Sequence, residues 1–173
     1  MTMGKPSSAW KDEATVRHPR IKICGLRTPE AVDAVLRHGG PEGGFVHFPK
    51  SPRHLSLPDM AALRAYVGDR AAVTIVTVDP DDALLEAIRR DIRPDTVQLH
   101  GSETPERVAE IGRRTGLATM KALSVHDAHD IASVAAYRGI ADRLLLDAKA
   151  PKGAALPGGC LLYTSDAADD SLR

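Results

Sequence analysis

The sequence has little of what a nucleic-acid-binding or membrane protein needs. Aromatic residues make up 3% of its 173 residues, which leaves little material for the stacking platforms of single-stranded nucleic-acid binders. The formal net charge is zero, so no basic field attracts nucleic acid or an anionic membrane. No run of about eighteen apolar residues occurs. We therefore expect a small-molecule partner, with neither nucleic acid nor a membrane.

Cysteine is equally scarce. Cys24 and Cys160 lie far apart, and neither belongs to a C-x-x-C pair or a Cys/His cluster, which argues against a disulfide framework and a zinc site. The first twenty residues lack the apolar segment of a signal peptide. We expect a cytoplasmic protein that holds no metal.

The composition, 43% hydrophobic and 27% charged, is that of one globular domain or most of one. Residues 1–20 show no periodicity and are predicted to form a flexible N-terminal extension. From Ile21 onward, short apolar runs alternate with amphipathic segments of helical length. The predicted strands are 21–24, 44–47, 72–78, 96–99, 118–122 and 143–147, and the predicted helices are 29–37, 58–66, 80–90, 105–115 and 127–137.

This strict alternation predicts an α/β fold with a parallel sheet, and by itself it leaves a doubly wound sheet and a β/α barrel equally open. Four of the five helices open with a proline, which suits the first helical position beside a capping residue. The residues before these prolines are Thr28, Leu57, Asp79 and Thr104.

One pattern occurs twice. Residues 24–32 and 100–108 share G-x-x-T-P-E-x-V, and each copy joins a strand end to a helix. Cys24 in the first copy and His100 in the second are predicted to occupy the last strand position, which faces the end of a β/α barrel where active sites assemble.

Five strand-end segments occur in a characteristic order: Lys-Ile-Cys-Gly at 22–25, Gly-Phe-Val at 44–46, residues 48–54, Gln-Leu-His-Gly at 98–101 and residues 144–149. In order and spacing, across 21–159, the sequence resembles the phosphoribosylanthranilate isomerase family. The resemblance implies a TIM-type (β/α)8 barrel, incomplete here, with about six strands and five helices. It also implies a cofactor-free Amadori rearrangement of N-(5-phosphoribosyl)anthranilate in tryptophan biosynthesis.

The same resemblance assigns the chemistry. Asp147 is implied as the acid that protonates the furanose oxygen, and Cys24 as the base that removes the proton on the second ribose carbon. We expect the apolar run 144–146 to favour a protonated Asp147, and Cys24 to be partly thiolate.

Substrate binding is assigned less completely. The resemblance implies that Arg53, in a Ser-Pro-Arg loop, binds the anthranilate carboxylate. A guanidinium can do so through two parallel hydrogen bonds. His100 either orients the substrate or only donates hydrogen bonds at the barrel mouth. Lys22 and Gln98 are expected to hold polar layers inside the barrel. His47 stands where the family usually carries an aromatic or apolar residue, and the remaining histidines are predicted to be exposed and without a role: His18, His38, His54, His126 and His129.

After Gly159 the family pattern stops. Residues 160–173 look like a translated sequencing adapter, so a non-native tail is predicted, with a genuine short acidic tail as the alternative. The last two strands and the phosphate-binding loops would then be missing, and the fragment is expected to have little activity. Two other functions stay open, a ribulose-phosphate epimerase-like barrel enzyme and a non-catalytic α/β partner module. Both a monomer and a homodimer are compatible with the sequence.

Overall fold

The computed structural model describes residues 20–125 and 130–148. Strands and helices alternate through these residues. The strands are β1 (Lys22–Cys24), β2 (Glu42–Val46), β3 (Ala72–Thr77), β4 (Thr96–Leu99), β5 (Ala118–Val125) and β6 (Arg143–Ala148). The helices are α1 (Pro29–Arg37), α2 (Leu57–Val67), α3 (Asp82–Ala87), α4 (Pro105–Thr115) and α5 (Ile131–Val134).

The six strands form one parallel sheet in chain order, β1-β2-β3-β4-β5-β6. A doubly wound sheet reverses its order at a switch point, whereas a β/α barrel does not. Side chains of non-neighbouring strands also meet: Lys22 on β1 reaches Gln98 on β4, and Glu42 on β2 reaches Arg143 on β6. The sheet therefore curls around a common interior, and the predicted incomplete barrel is confirmed.

The main apolar core lies between the outer face of the sheet and the helices. Alternate strand residues such as Phe45, Ile75 and Leu99 are fully buried there, because successive side chains of a strand point to opposite faces. The intervening residues point into the barrel, and many of them are polar.

The two outermost strands stay incompletely covered within the described residues. Each of β1 and β6 pairs with one neighbour only. Large exposed apolar residues lie just before β1 (Ile21), on β1 (Ile23) and on β6 (Leu144 and Leu146). Open edges at the first and last strands are typical of a barrel that is not closed.

Helix starts were predicted correctly at Thr28 and Thr104, whose side chains accept hydrogen bonds from the backbone N–H groups three residues later. The other two helices begin close to the predicted prolines but not at them. Ser56 caps α2 and Asp81 caps α3, since Leu57 has no side-chain oxygen and Pro80 precedes the cap instead of following it.

Several boundaries differ from the prediction. β2 begins at Glu42 and ends before His47, and β5 continues to Val125. The predicted third helix is shorter and continues as a π-helical turn over Ile88–Ile92. Of the predicted fifth helix, 127–137, the described part is α5 followed by a 3-10 turn, Ala135–Tyr137.

The predicted tail and nearly all of the predicted N-terminal extension lie outside the described residues, as do residues 126–129. Within the described part, no helix has the length and apolar character needed to cross a membrane.

Candidate active site

Four side chains proposed from the sequence lie at the carboxyl edge of the sheet. Cys24 is the last residue of β1, His100 directly follows β4, and Asp147 is the penultimate residue of β6. Arg53 lies in the loop that joins β2 to α2. Because all six strands are parallel, their carboxyl ends share one edge, where β/α barrels assemble their active sites.

Arg53 lies against the turn that follows Cys24. Gly25 adopts a φ of +88°, and a Cβ there would lie 2.5 Å from Cδ of Arg53, so glycine is needed both for the backbone and for the arginine stem. The backbone N–H of Arg53 donates to Ser51 Oγ, at 3.1 Å, and Arg27 donates to the carbonyl of Pro52, at 3.0 Å. These two hydrogen bonds hold the loop just before the exposed Arg53 side chain, whose stem lies against the turn that follows the exposed, free thiol of Cys24.

A second glycine makes room for the thiol. Gly44 on β2 pairs with Cys24 on β1. A Cβ on Gly44 would lie 3.3 Å from Sγ of Cys24 and 3.3 Å from Nζ of Lys22. Both groups therefore occupy the space above a residue that has no side chain.

On the other side of the edge, His100 and Asp147 form a pair. Nε2 of His100 lies 3.2 Å from Oδ2 of Asp147, and the two side chains are 32% and 47% exposed. Leu144 and Leu146 alternate to the outer face of β6, whereas Leu145 lies on the same face of the strand as Asp147. The neighbour of the Asp147 carboxyl is a histidine.

Lys22 and Gln98 connect the part of the site that contains Cys24 with the part that contains His100. Nζ of Lys22 donates to Oε1 of Gln98, at 2.6 Å, and Nε2 of Gln98 lies 3.3 Å from Nδ1 of His100. Gln98 is 2% exposed. The expectation that both residues point into the barrel and form a polar layer is confirmed.

The sequence analysis missed a buried ion pair beneath the site. Nζ of Lys121 on β5 lies 2.7 Å from Oε2 of Glu103, and both side chains are 2% exposed. The same ammonium donates to the carbonyl of Gly101, at 2.7 Å, while the Glu103 carboxylate accepts the N–H groups of Gly101 and Asp79. Both backbone polar groups of the residue after His100 are therefore held by charged partners.

The repeated pattern carried a signal for this arrangement. The residue just before the capping threonine is Arg27 in the first copy and Glu103 in the second. Arg27 reaches the β2–α2 loop at Pro52, and Glu103 reaches the β3–α3 loop at Asp79. Each copy thus uses this position to hold the loop of an adjacent βα unit, through opposite charges.

His47 and His54 lie under the Arg53 loop. Nδ1 of His47 donates to the carbonyl of Leu55, at 3.0 Å, and the two rings are 4.9 Å apart between centroids. The prediction that His54 is exposed was wrong: it is half-buried, and its Nδ1 is buried with no hydrogen-bond partner among the described residues. His38 is exposed as predicted, and the other three histidines expected to be exposed lie outside the described residues.

No group of three or more His, Cys, Asp or Glu side chains within residues 20–125 and 130–148 is arranged to hold a metal ion. The polar groups that converge at the edge are instead a thiol, a guanidinium, an imidazole and a carboxyl. This set can transfer protons and bind a carboxylate.

One family model matches most of the chain. A family model described as N-(5'phosphoribosyl)anthranilate (PRA) isomerase matches residues 21–167. The match continues past residue 159, and the boundary of the predicted tail stays a prediction.

Individual relatives agree with the family match. An N-(5'-phosphoribosyl)anthranilate isomerase of Brucella canis is 57% identical over 140 residues, covering 80% of this chain and 63% of its own length. The crystal structure of phosphoribosyl anthranilate isomerase from Thermotoga maritima superposes with a TM-score of 0.69 at 30% identity, covering 77% of this chain and 63% of that one. A phosphoribosyl anthranilate isomerase in complex with reduced 1-(o-carboxyphenylamino)-1-deoxyribulose 5-phosphate gives a TM-score of 0.67 at 29% identity, covering 75% and 64%. The chain spans 63% of the length of the curated relatives it matches.

Proposed function

The chain belongs to the N-(5'-phosphoribosyl)anthranilate isomerase family, and on that premise we propose that it carries the acid–base half of such an isomerase. The reaction converts N-(5-phosphoribosyl)anthranilate into 1-(2-carboxyphenylamino)-1-deoxyribulose 5-phosphate, a step of tryptophan biosynthesis. The observation that carries the proposal is the placement of Cys24, Arg53, His100 and Asp147 at one edge of the sheet.

Asp147 is the proposed acid. Its carboxyl group protonates the furanose ring oxygen, the bond from that oxygen to the first ribose carbon breaks, and the anilino nitrogen lone pair forms a C=N bond to this carbon. The half-exposed carboxyl at the open end of the barrel is accessible to a substrate.

Cys24 is the proposed base. Its thiolate removes the proton on the second ribose carbon, which gives an enolamine and neutralises the iminium nitrogen. A proton is then added to the first carbon while the hydroxyl group on the second carbon loses its proton, which yields the ketone. The first carbon is reduced and the second oxidised within one molecule, so the rearrangement needs no external electron acceptor. The free, exposed thiol next to Gly44, which carries no side chain, is accessible for this proton transfer.

Arg53 is the proposed anchor for the anthranilate carboxylate. A guanidinium binds a carboxylate through two parallel hydrogen bonds, and its planar geometry matches a planar aromatic acid. Its stem crosses the turn after Cys24, so a carboxylate bound there places the attached ribose above the sheet edge. His100, paired with Asp147, is proposed to orient the reacting sugar.

The substrate class that follows is a small sugar phosphate. We further propose a cytoplasmic enzyme, as a monomer or a homodimer, whose phosphate-binding loops come from the seventh and eighth strands of the complete barrel. Neither an epimerase nor a partner module is favoured by a specific feature of the site.

Turnover tests the proposal. The 173-residue chain is assayed alone and mixed with the separately expressed C-terminal third of the Brucella canis relative, by the loss of the substrate's anthranilate fluorescence. We expect little turnover from either piece and measurable turnover from the mixture. Cys24→Ala and Asp147→Asn should each lower kcat of the mixture by about 10²–10⁴-fold.

The matched control is Cys160→Ser, which removes the other cysteine and should leave turnover unchanged. Arg53→Lys should mainly raise KM, because the amine cannot form the two parallel hydrogen bonds. Turnover that survives Cys24→Ala and Asp147→Asn undiminished would contradict the proposed roles. A mixture that folds together and stays inactive would contradict the function.

A further inference from the structure

Four polar side chains form a continuous line from the first strand to the sixth. Lys22 Nζ lies 2.6 Å from Gln98 Oε1, Gln98 Nε2 lies 3.3 Å from His100 Nδ1, and His100 Nε2 lies 3.2 Å from Asp147 Oδ2. The line begins two residues before Cys24 and ends on Asp147, so it joins the neighbourhoods of the proposed base and the proposed acid.

The donors and acceptors in this line determine one another. An ammonium group only donates, so the atom of Gln98 that faces Lys22 must be its carbonyl oxygen. The amide nitrogen then faces His100, and because NH₂ only donates, Nδ1 of His100 must accept. A neutral imidazole that accepts at Nδ1 carries its proton on Nε2. His100 therefore donates to Oδ2 of Asp147.

The reverse orientation is unfavourable at each contact. A flipped Gln98 would place its NH₂ group against the Lys22 ammonium, which brings two donors together in a buried position. A proton on Nδ1 of His100 would likewise face the NH₂ group of Gln98. The charge on Lys22 thus determines the tautomer of a histidine on a different strand, through one amide.

We propose that Lys22 and Gln98 are positioning residues that hold His100 in its Nε2–H tautomer. Oδ2 of Asp147 then accepts a hydrogen bond from His100, and Oδ1 is left to exchange a proton with the substrate. The part that concerns the substrate rests on the proposed function. The tautomer does not, because it follows from the contacts alone.

The tautomer can be measured on the chain as it is. In long-range ¹H–¹⁵N correlation spectra of the ¹⁵N-labelled chain, the two ring nitrogens of a histidine differ strongly in shift according to which one carries the proton. We expect His100, identified by its disappearance in His100→Asn, to show the Nε2–H pattern. His47 supplies an internal reference for the Nδ1–H tautomer, since its Nδ1 donates to the carbonyl of Leu55. An Nδ1–H pattern for His100, or signals averaged between the two tautomers, would overturn the proposal.

Two variants test whether Lys22 and Gln98 determine the tautomer of His100. In Gln98→Glu an acceptor replaces the NH₂ group, so Nδ1 of His100 should become protonated. In Lys22→Met the amide loses the partner that fixes its orientation, and the His100 signals should move towards a mixture of tautomers. Thr96→Ser is the control, because Thr96 lies on the same strand outside this line and serine keeps the hydroxyl that Arg143 contacts; it should leave the tautomer unchanged.

These outcomes separate the two proposals. A His100 pattern that stays Nε2–H in both Gln98→Glu and Lys22→Met would overturn the positioning roles even if the complemented enzyme is active. The expected tautomer shifts in an inactive mixture would instead leave the positioning roles supported and count against the isomerase function.

Discussion

Arg143 on the sixth strand binds the carboxylate of Glu42 on the second, 101 positions earlier, through hydrogen bonds of 2.7 and 3.0 Å. Arg143 also donates to Thr96, at 2.6 Å, and Thr74 donates to Glu42. Glu42 is 1% exposed. These contacts join β2, β3, β4 and β6 at the amino end of the sheet, opposite the candidate site, and so maintain the curl that brings the carboxyl ends together.

This ion pair predicts an acid-sensitive contribution to stability. Burial by itself would raise the pKa of Glu42, but hydrogen bonds from Arg143 and Thr74, with the charges of Arg143 and Arg20, hold that pKa below its usual range. Because the folded-state pKa is lowered, the contribution is fully present above the ordinary glutamate pKa of about 4.3 and is lost as the pH falls through the lower, folded-state value.

Glu42→Gln should therefore lower the free energy of unfolding by about 2 kcal/mol at neutral pH. The difference from the wild type should shrink below about pH 4, as measured by urea denaturation across the acid range. Glu86→Gln is the control, since Glu86 pairs with Arg89 at the surface and should change stability little. A difference that grows on acidification would show that the sign is wrong.

The alternation of apolar runs and amphipathic segments predicted every described strand, because buried parallel strands and amphipathic helices have distinct periodicities. The contacts between strands were not predictable in the same way. Nothing local in Glu42 or Arg143 indicates a partner about a hundred residues away, and the Lys121–Glu103 pair depends on how the β4–α4 loop packs against β5. The strand-end positions of Cys24 and Asp147 followed from the apolar runs and their roles from the resemblance, whereas the His100–Asp147 contact required the curl of the sheet.

Breaking the Lys121–Glu103 pair should be costly because it leaves one buried charge without its partner. Lys121→Met is expected to lower the free energy of unfolding by about 3–5 kcal/mol. The double variant Lys121→Met/Glu103→Gln should lose less, since the uncompensated carboxylate is gone. Urea denaturation of both variants measures this. A double variant less stable than Lys121→Met would mean that Glu103 contributes mainly through its backbone hydrogen bonds to Gly101 and Asp79.

Gly25 combines two constraints that a pair of variants can separate. Gly116 also has a positive φ, +69°, but a Cβ there meets nothing within 4 Å. Gly116→Ala should therefore cost about 1 kcal/mol from backbone strain alone. Gly25→Ala should cost more, because its Cβ must also displace the Arg53 stem. Thermal unfolding compares the two, and equal losses would show that Arg53 moves aside freely.

The histidine pair under the Arg53 loop predicts two stability changes of opposite sign. Nδ1 of His54 is buried without a partner among the described residues, so His54→Phe removes an unsatisfied polar atom while keeping an aromatic ring against His47. We expect it to raise the free energy of unfolding by about 1 kcal/mol. His47→Phe removes the hydrogen bond to the Leu55 carbonyl and should lower it by about the same amount.

All variants are measured at the same pH, so that they are compared under one set of conditions. The exposed His38 provides the reference substitution, His38→Phe, which should give no gain. If His54→Phe destabilised the protein as much as His47→Phe, then His54 would contribute a polar interaction at this position, and the loop that carries Arg53 would depend on both histidines. The opposite signs would instead show that, of the two histidines, only His47 helps to hold the loop.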